Sequence, residues 1–295
     1  MKLHITRQTN LPLGCQETFP FTKKSKEPIP NFFSSLLTAK LMTLFLMFGI
    51  LFTPGKSYSQ SKNTIMSKTT TTIVFVHGLW ADGSSWSKVA ALLLEKGYNV
   101  ITVQNPTTSI EDDVAATQRA IERADGDVIL VGHSWGGFVI SEAGNHAKVK
   151  ALVYVAAYVP DTGETIPTVS EKAAGTNVRN YLQSIGGYLT LTKEGVQKAF
   201  ANDLPSKEQE LVYAVQQPAF PKVFEAVGTN TAWRQRPSWY IVASEDNTIH
   251  PELEKMMAAR AKSKTTILKS SHVAMLSKPK EVSEVILDAV AQVSK

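Results

Sequence analysis

Gly132-His133-Ser134-Trp135-Gly136-Gly137 is the stretch that decides the fold. The apolar run 127–132 (DVILVG) that leads into it predicts a buried strand, and residues 135–145 predict a helix. A G-x-S-x-G sequence between a strand and a helix makes a turn so tight that its flanking positions must be glycine, and it lifts the serine hydroxyl above the sheet. A free hydroxyl is a poor nucleophile at neutral pH, so Ser134 becomes a candidate nucleophile only if a base stands beside it.

Outward from this elbow the same alternation continues in both directions. Towards the N-terminus, 72–77 (TIVFVH) and 98–103 (YNVITV) predict strands, and 84–96 predicts a helix with Trp86, Val89, Leu92 and Leu93 on one face. Ser109-x-x-Asp112 has the form of a capping box that opens a helix reaching about residue 124. Towards the C-terminus, 149–156, 238–243 and 265–269 predict strands, and 251–261 and 278–292 predict helices. The fold class is therefore α/β: a mostly parallel sheet with right-handed crossovers and helices on both faces. Between about 160 and 236 the strand pattern gives way to proline, glycine and helical stretches such as 208–215, which predicts a helical cap inserted over the strand ends.

Six histidines are available as the base. His4 precedes the folded region, His77 ends the first strand before a glycine and suits loop shaping, His133 adjoins the serine, and His146 closes a helix where its ring suits the C-terminal dipole. His250 and His272 remain. For a serine on such an elbow the partners follow in the order acid, then histidine, with the histidine after the last strand; His272 fits that order better than His250. The acid belongs after the strand 238–243, where Glu245 and Asp246 are adjacent. Asp246 is preferred because its shorter side chain is held more rigidly against an imidazole, and Glu245 is the fallback. A tetrahedral intermediate also needs two convergent N–H donors; the backbones of Trp135, at the helix start, and of Leu79, after His77-Gly78, are the candidates.

The chain of 295 residues carries a formal charge of +5, and that charge sits at its beginning. Residues 41–54 (LMTLFLMFGILFTP) are uncharged, follow several lysines, and lead to Ser57-Tyr58-Ser59-Gln60. Basic region, apolar stretch and small-x-small site form the pattern of a secretory signal peptide over residues 1–59, with Gln60 as the first mature residue. The apolar stretch is shorter than the roughly 20 residues that span a bilayer, so no stable membrane anchor is expected. Met66 is an alternative start that would give a leaderless cytoplasmic form. Removing 1–59 leaves 24 basic and 24 acidic residues, a balance that gives no support to a nucleic-acid partner. It also removes Cys15, the sole cysteine, so no disulfide or cysteine-rich metal site is expected. Residues 60–295 are then one capped domain, exported to the periplasm or beyond.

The segments VFVHGLWADGSSW, LVGHSWGG, VYVAAYVPDTGE, IVASEDNTIHPE and SSHVAMLSKP, in this order, resemble the α/β-hydrolase superfamily, and within it the bacterial branch of the methylesterase and hydroxynitrile-lyase group. The resemblance covers the chain from Thr72 onward. It implies Ser134 as nucleophile, Asp246 as acid, His272 as base and Leu79 and Trp135 as oxyanion donors, with no cofactor and no metal. Lyases of the group typically have threonine where Gly78 stands and lysine where Val273 stands; epoxide hydrolases and dehalogenases need a carboxylate in place of Ser134. The resemblance thus implies a serine hydrolase acting on small carboxylic esters through an acyl-enzyme. Perhydrolase-like, lyase-like or receptor-like use of the same site stays open as an alternative.

Trp80 and Tyr158 are the candidate pocket residues. The cap adds Tyr181, Tyr188, Phe200, Tyr213, Phe220 and Phe224, which either line the pocket and favour apolar or aromatic esters or pack the cap onto the sheet.

Overall fold

The computed structural model describes residues 70–293. The expected leader over 1–59, with its apolar stretch, cleavage site and Cys15, and the alternative start Met66 lie outside the described residues.

Strand β1 (Thr71–Val76) is buried along its whole length, as its unbroken β-branched and aromatic run predicts. A 3-10 turn (Gly83–Trp86) and helix α1 (Ser87–Glu95) follow, with Trp86 stacked on Phe75 at 4.5 Å between ring centroids. After β2 (Asn99–Thr102), Ser109 caps α2 (Ile110–Arg123) by accepting from Asp112 N. Then come β3 (Asp127–His133), α3 (Trp135–Ala143) and β4 (Val149–Val155).

The insertion starts with the short helix α4 (Ile166–Ser170). It continues with a hairpin, β5 (Leu182–Ile185) and β6 (Tyr188–Leu191), and with the single turn α5 (Lys193–Gly195) running into a π-helical turn (Val196–Phe200). Its last regular helix is α6 (Ser206–Val215). The hairpin adds two strands to the cap that the sequence predicts as helical. Its turn is Gly186-Gly187, both at positive φ (59° and 84°), the backbone that a two-residue hairpin demands and that glycine adopts without a Cβ clash.

The sheet resumes with β7 (Ser238–Ala243), α7 (Pro251–Arg260) and β8 (Lys264–Leu268), and the described chain ends with α8 (Ala274–Ser277) and α9 (Pro279–Val293). The strand order is β2-β1-β3-β4-β7-β8 and all five pairings are parallel. The helices pack in groups, α1 with α9 and α2 with α3, around that sheet. The central strands are continuously apolar, whereas the edge strand β8 alternates towards solvent and carries Lys264 and two threonines, a composition that discourages pairing with another chain. The insertion separates β4 from β7, so it falls beside the C-terminal end of β3, where Ser134 stands.

Candidate active site

Ser134 links β3 to α3 with φ 53° and ψ −122°, a left-handed conformation that is strained for a residue with a side chain. Neighbouring backbone holds it there: Ser134 N donates to Val155 O (3.3 Å), while Ser134 O accepts from Gly137 N (3.0 Å) and Tyr158 N (3.1 Å). The glycines around it are required by close approach. A Cβ on Gly132 would stand 2.5 Å from Gly136 O, one on Gly136 2.3 Å from Val76 O, and one on Gly78 2.6 Å from Ser134 Cβ. The elbow is thus wedged against the end of β1, and its serine faces a cavity.

That cavity measures about 580 Å³, and Leu79, Trp80, Ser134, Trp135 and Tyr158 form part of its wall. The cap contributes aliphatic side chains such as Ile166, Val178, Leu182 and Leu189. Of the six cap aromatics, only Phe224 is part of the wall. Phe200 is fully buried against His272 (5.1 Å between centroids) and His133 (6.3 Å), and Tyr188 pairs with Phe220 at 5.3 Å. Of the two uses left open for these rings, lining the pocket holds for Phe224 alone, and the cap side of the cavity is largely aliphatic. Trp80 ties the two parts: its Nε1 donates to Leu189 O in β6 (3.1 Å).

His272 sits four residues beyond the end of β8, and Asp246 three beyond the end of β7; the parallel pairing of these strands brings the two loops together. His272 Nδ1 lies 2.5 Å from Asp246 Oδ2, and both side chains are buried. Asp246 Oδ1 accepts from Thr248 N (2.6 Å) and Ile249 N (3.0 Å), which fixes the carboxylate in its turn. A carboxylate accepts only, so the proton is on His272 Nδ1 and Nε2 is the free lone pair. Nε2 has no hydrogen-bond partner among the described residues, and neither has Ser134 Oγ. The structure therefore brings histidine and acid into contact while the serine–histidine bond stays unmade. Cap residues brace both loops: Asp203 accepts from Ser271 N (3.0 Å) and Oγ (2.5 Å), and Ala199 O accepts from Thr248 Oγ1 (3.0 Å).

The alternatives lie elsewhere. Glu245 is half-exposed and faces Lys269 at 3.6 Å. His250 caps α7, its Nδ1 accepting from Glu252 N (3.2 Å), and borders the cavity without a hydrogen bond to Asp246. His77 shapes the loop before Leu79: Nδ1 lies 2.8 Å from Gly78 O and Nε2 accepts from Asn105 N (2.9 Å), the pattern of a neutral ring, and burial lowers its pKa accordingly. His133 donates from Nε2 to His272 O (3.0 Å), and burial, reinforced by the neighbouring His272, holds its pKa well below the usual value.

Leu79 N makes no hydrogen bond among the described residues, and Trp135 N opens α3, where no carbonyl of the helix can reach it. The two residues border the cavity beside Ser134. The Trp135 indole is fully buried, and its Nε1 donates to Asp113 Oδ2 (2.7 Å) while Thr107 N donates to Asp113 Oδ1 (2.8 Å). Burial pushes the Asp113 pKa up to about 6. The sequence reading, which used only Ser109 and Asp112 as a capping box here, did not single out this buried carboxyl; no local signal distinguishes it from Asp112. Among the described residues no group of three or more His, Cys, Asp or Glu could hold a metal ion, and no helix is long and apolar enough to cross a membrane.

A strained serine elbow on a parallel sheet, with a buried histidine–carboxylate pair beside it, defines a class of protein, and the comparisons agree. Residues 73–285 match the Alpha/beta hydrolase family, and the chain belongs to that family. Its relatives are of the esterase branch. Methylesterase 18 of Arabidopsis thaliana is 26% identical over 257 residues, spanning 75% of this chain and 97% of that protein. The carbendazim hydrolyzing esterase of Nocardioides sp. (strain SG-4G) is 33% identical over 129 residues, 39% of this chain and only 52% of that esterase. Among solved structures, a pyrethroid hydrolase from Sphingobium faniae JZ-2 superposes with a TM-score of 0.65 at 24% identity, over 76% of this chain and 99% of that one, which shows the shared fold.

Proposed function

We propose that the protein is a carboxylesterase-type serine hydrolase whose Ser134, His272 and Asp246 cleave small apolar esters through an acyl-enzyme. The observation that carries this reading is the buried 2.5 Å contact between His272 Nδ1 and Asp246 Oδ2 beside a serine in strained geometry at a largely apolar cavity. The names of the esterase relatives support ester hydrolysis as the reaction.

His272 Nε2 takes the proton of Ser134 Oγ as Oγ attacks the ester carbonyl, and Asp246 stabilises the imidazolium that forms. The oxyanion is held by the N–H groups of Leu79 and Trp135. His272 then returns the proton to the leaving alcohol, and a water activated by the same nitrogen releases the acid. Serine and histidine have to close into a hydrogen bond as substrate binds, as catalytic contacts often tighten only in the complex. The aliphatic wall, with Trp80, Tyr158 and Phe224, favours an apolar acyl or alcohol part. A panel of p-nitrophenyl and methyl esters with cyanohydrin and peroxide substrates tests this. Hydrolysis of the esters is expected, and turnover confined to the cyanohydrin or peroxide substrates, or none, contradicts it.

We read residues 1–59 as an export signal, on the order of basic region, apolar stretch and Ser57-Tyr58-Ser59. Sequencing the mature N-terminus is expected to begin at Gln60, and a chain beginning at Met66 would contradict export.

A further inference from the structure

Behind Asp246 lies a second buried carboxyl that the proposed reaction does not use. Glu254, in the first turn of α7, is fully buried. Its Oε2 accepts from Ala243 N (3.0 Å) at the end of β7. Its Oε1 is buried and meets no N–H or hydroxyl donor among the described residues, and no lysine, arginine or histidine pairs with it. Its ionisable neighbour is Asp246: both residues bind Ala243, Glu254 through Ala243 N and Asp246 by donating its N–H to Ala243 O (3.2 Å), and the Asp246 charge acts on Glu254.

Two ionised carboxyls cannot share a buried contact without strong repulsion, so one of them keeps a proton. Asp246 already accepts from His272 Nδ1, Thr248 N and Ile249 N, an environment that favours the ionised form. Glu254 has one donor and an empty second oxygen. A proton on Oε1 removes the extra charge and turns the orphaned atom into a donor aimed at Asp246. Burial, and then the charge of Asp246, push the Glu254 pKa well above the carboxylate range. The other titratable neighbours are the hydroxyls of Tyr240 and Tyr158, themselves kept neutral by burial, so they add no charge. The positive end of α7 favours an anion here, but its amides make no bond to Oε1.

We propose that Glu254 is a positioning residue of the active site: its neutral carboxyl donates from Oε1 to the Asp246 carboxylate and holds Asp246 ionised and aligned on His272. The inference rests on the proposed role of Asp246. The donor draws charge from Asp246 and so tempers the basicity of His272; without it the imidazolium is stabilised more and the acidic limb of the pH profile moves up.

The test compares kcat, KM and the pH profile of ester hydrolysis in the full-length protein with Glu254→Gln, Glu254→Leu and Asp246→Asn. The amide of Glu254→Gln donates at every pH, so kcat is expected within about threefold of wild type and the acidic limb unmoved. Glu254→Leu is expected to lower kcat about tenfold, as for one lost bond to a charged group, to raise the acidic limb by about half a pH unit, and to leave KM within about twofold. Infrared spectra at pH 8 should show the carbonyl stretch of a neutral carboxylic acid in wild type and lose it in Glu254→Gln, a readout that stands even if the leucine variant fails to fold. A wild-type profile in Glu254→Leu, a Glu254→Gln variant as impaired as the leucine one, or no such band overturns the inference. Asp246→Asn with wild-type turnover would instead overturn the reading of the site itself.

Discussion

His272 and Asp246, 26 residues apart in sequence, meet at 2.5 Å through Nδ1 and Oδ2, each held from behind by its own loop. Asp246 is tied by Thr248 N and Ile249 N, and the loop before His272 by Asp203 of the cap. The pair is thus oriented before any substrate arrives.

Replacing the acid by its amide keeps the shape and destroys the orientation. Asp246→Asn is expected to lower kcat by about 10³- to 10⁴-fold with little change in KM, because the imidazole loses both its preferred tautomer and the charge that stabilises its cation. Steady-state kinetics on a variant with an unchanged circular-dichroism spectrum checks this; a loss of less than tenfold contradicts it.

The elbow's glycines make a prediction about stability. A Cβ on Gly136 would lie 2.3 Å from Val76 O, a backbone atom of the central strand β1 that has no room to retreat. Gly136→Ala should destabilise the protein by about 1–3 kcal/mol, as for other overpacked sites. Gly175, where nothing lies within 4 Å of the added Cβ, should tolerate alanine to within about 0.5 kcal/mol. Urea denaturation of the two variants compares them directly.

Asp113 carries a pH dependence of unusual sign for a carboxylate. Burial raises its pKa from 3.8 to about 6, so the folded protein binds this proton more tightly than the unfolded chain does. From about pH 4 to pH 6 the unfolded chain gives up the proton while the folded one retains it, and the contribution of Asp113 to stability falls as the pH rises, by about 3 kcal/mol in all. Asp113→Asn has no such titration. Relative to that variant, wild type should lose stability in urea between pH 4 and pH 7, and parallel pH dependences would contradict the assignment.

The strands and the elbow were legible in the sequence because parallel strands buried on both faces leave apolar runs, and the turn at Ser134 admits only glycine at its flanks. The His272–Asp246 pair was legible from chain order after the last two strands. The cap was less so. Ile185-Gly186-Gly187-Tyr188 carried a hairpin signal that the surrounding polar–helical composition masked. Asp113 and Phe200 owe their surroundings to contacts between distant segments, Asp113 with Trp135 and Phe200 with His272, while Glu254 is buried against the end of β7 by the turn that leads into α7. No local pattern marks such residues, since an acid in a helix's first turn ordinarily reads as a solvated one.

The central claim is that Ser134 forms a covalent intermediate. Treating the full-length protein and Ser134→Ala with a serine-directed organophosphate, followed by intact mass and peptide mapping, tests it most directly. The account predicts one adduct per chain, on Ser134, with ester hydrolysis lost in step with labelling and both absent in the folded Ser134→Ala variant. Ester turnover in Ser134→Ala near that of wild type, or an inactivating adduct on another residue, would contradict it.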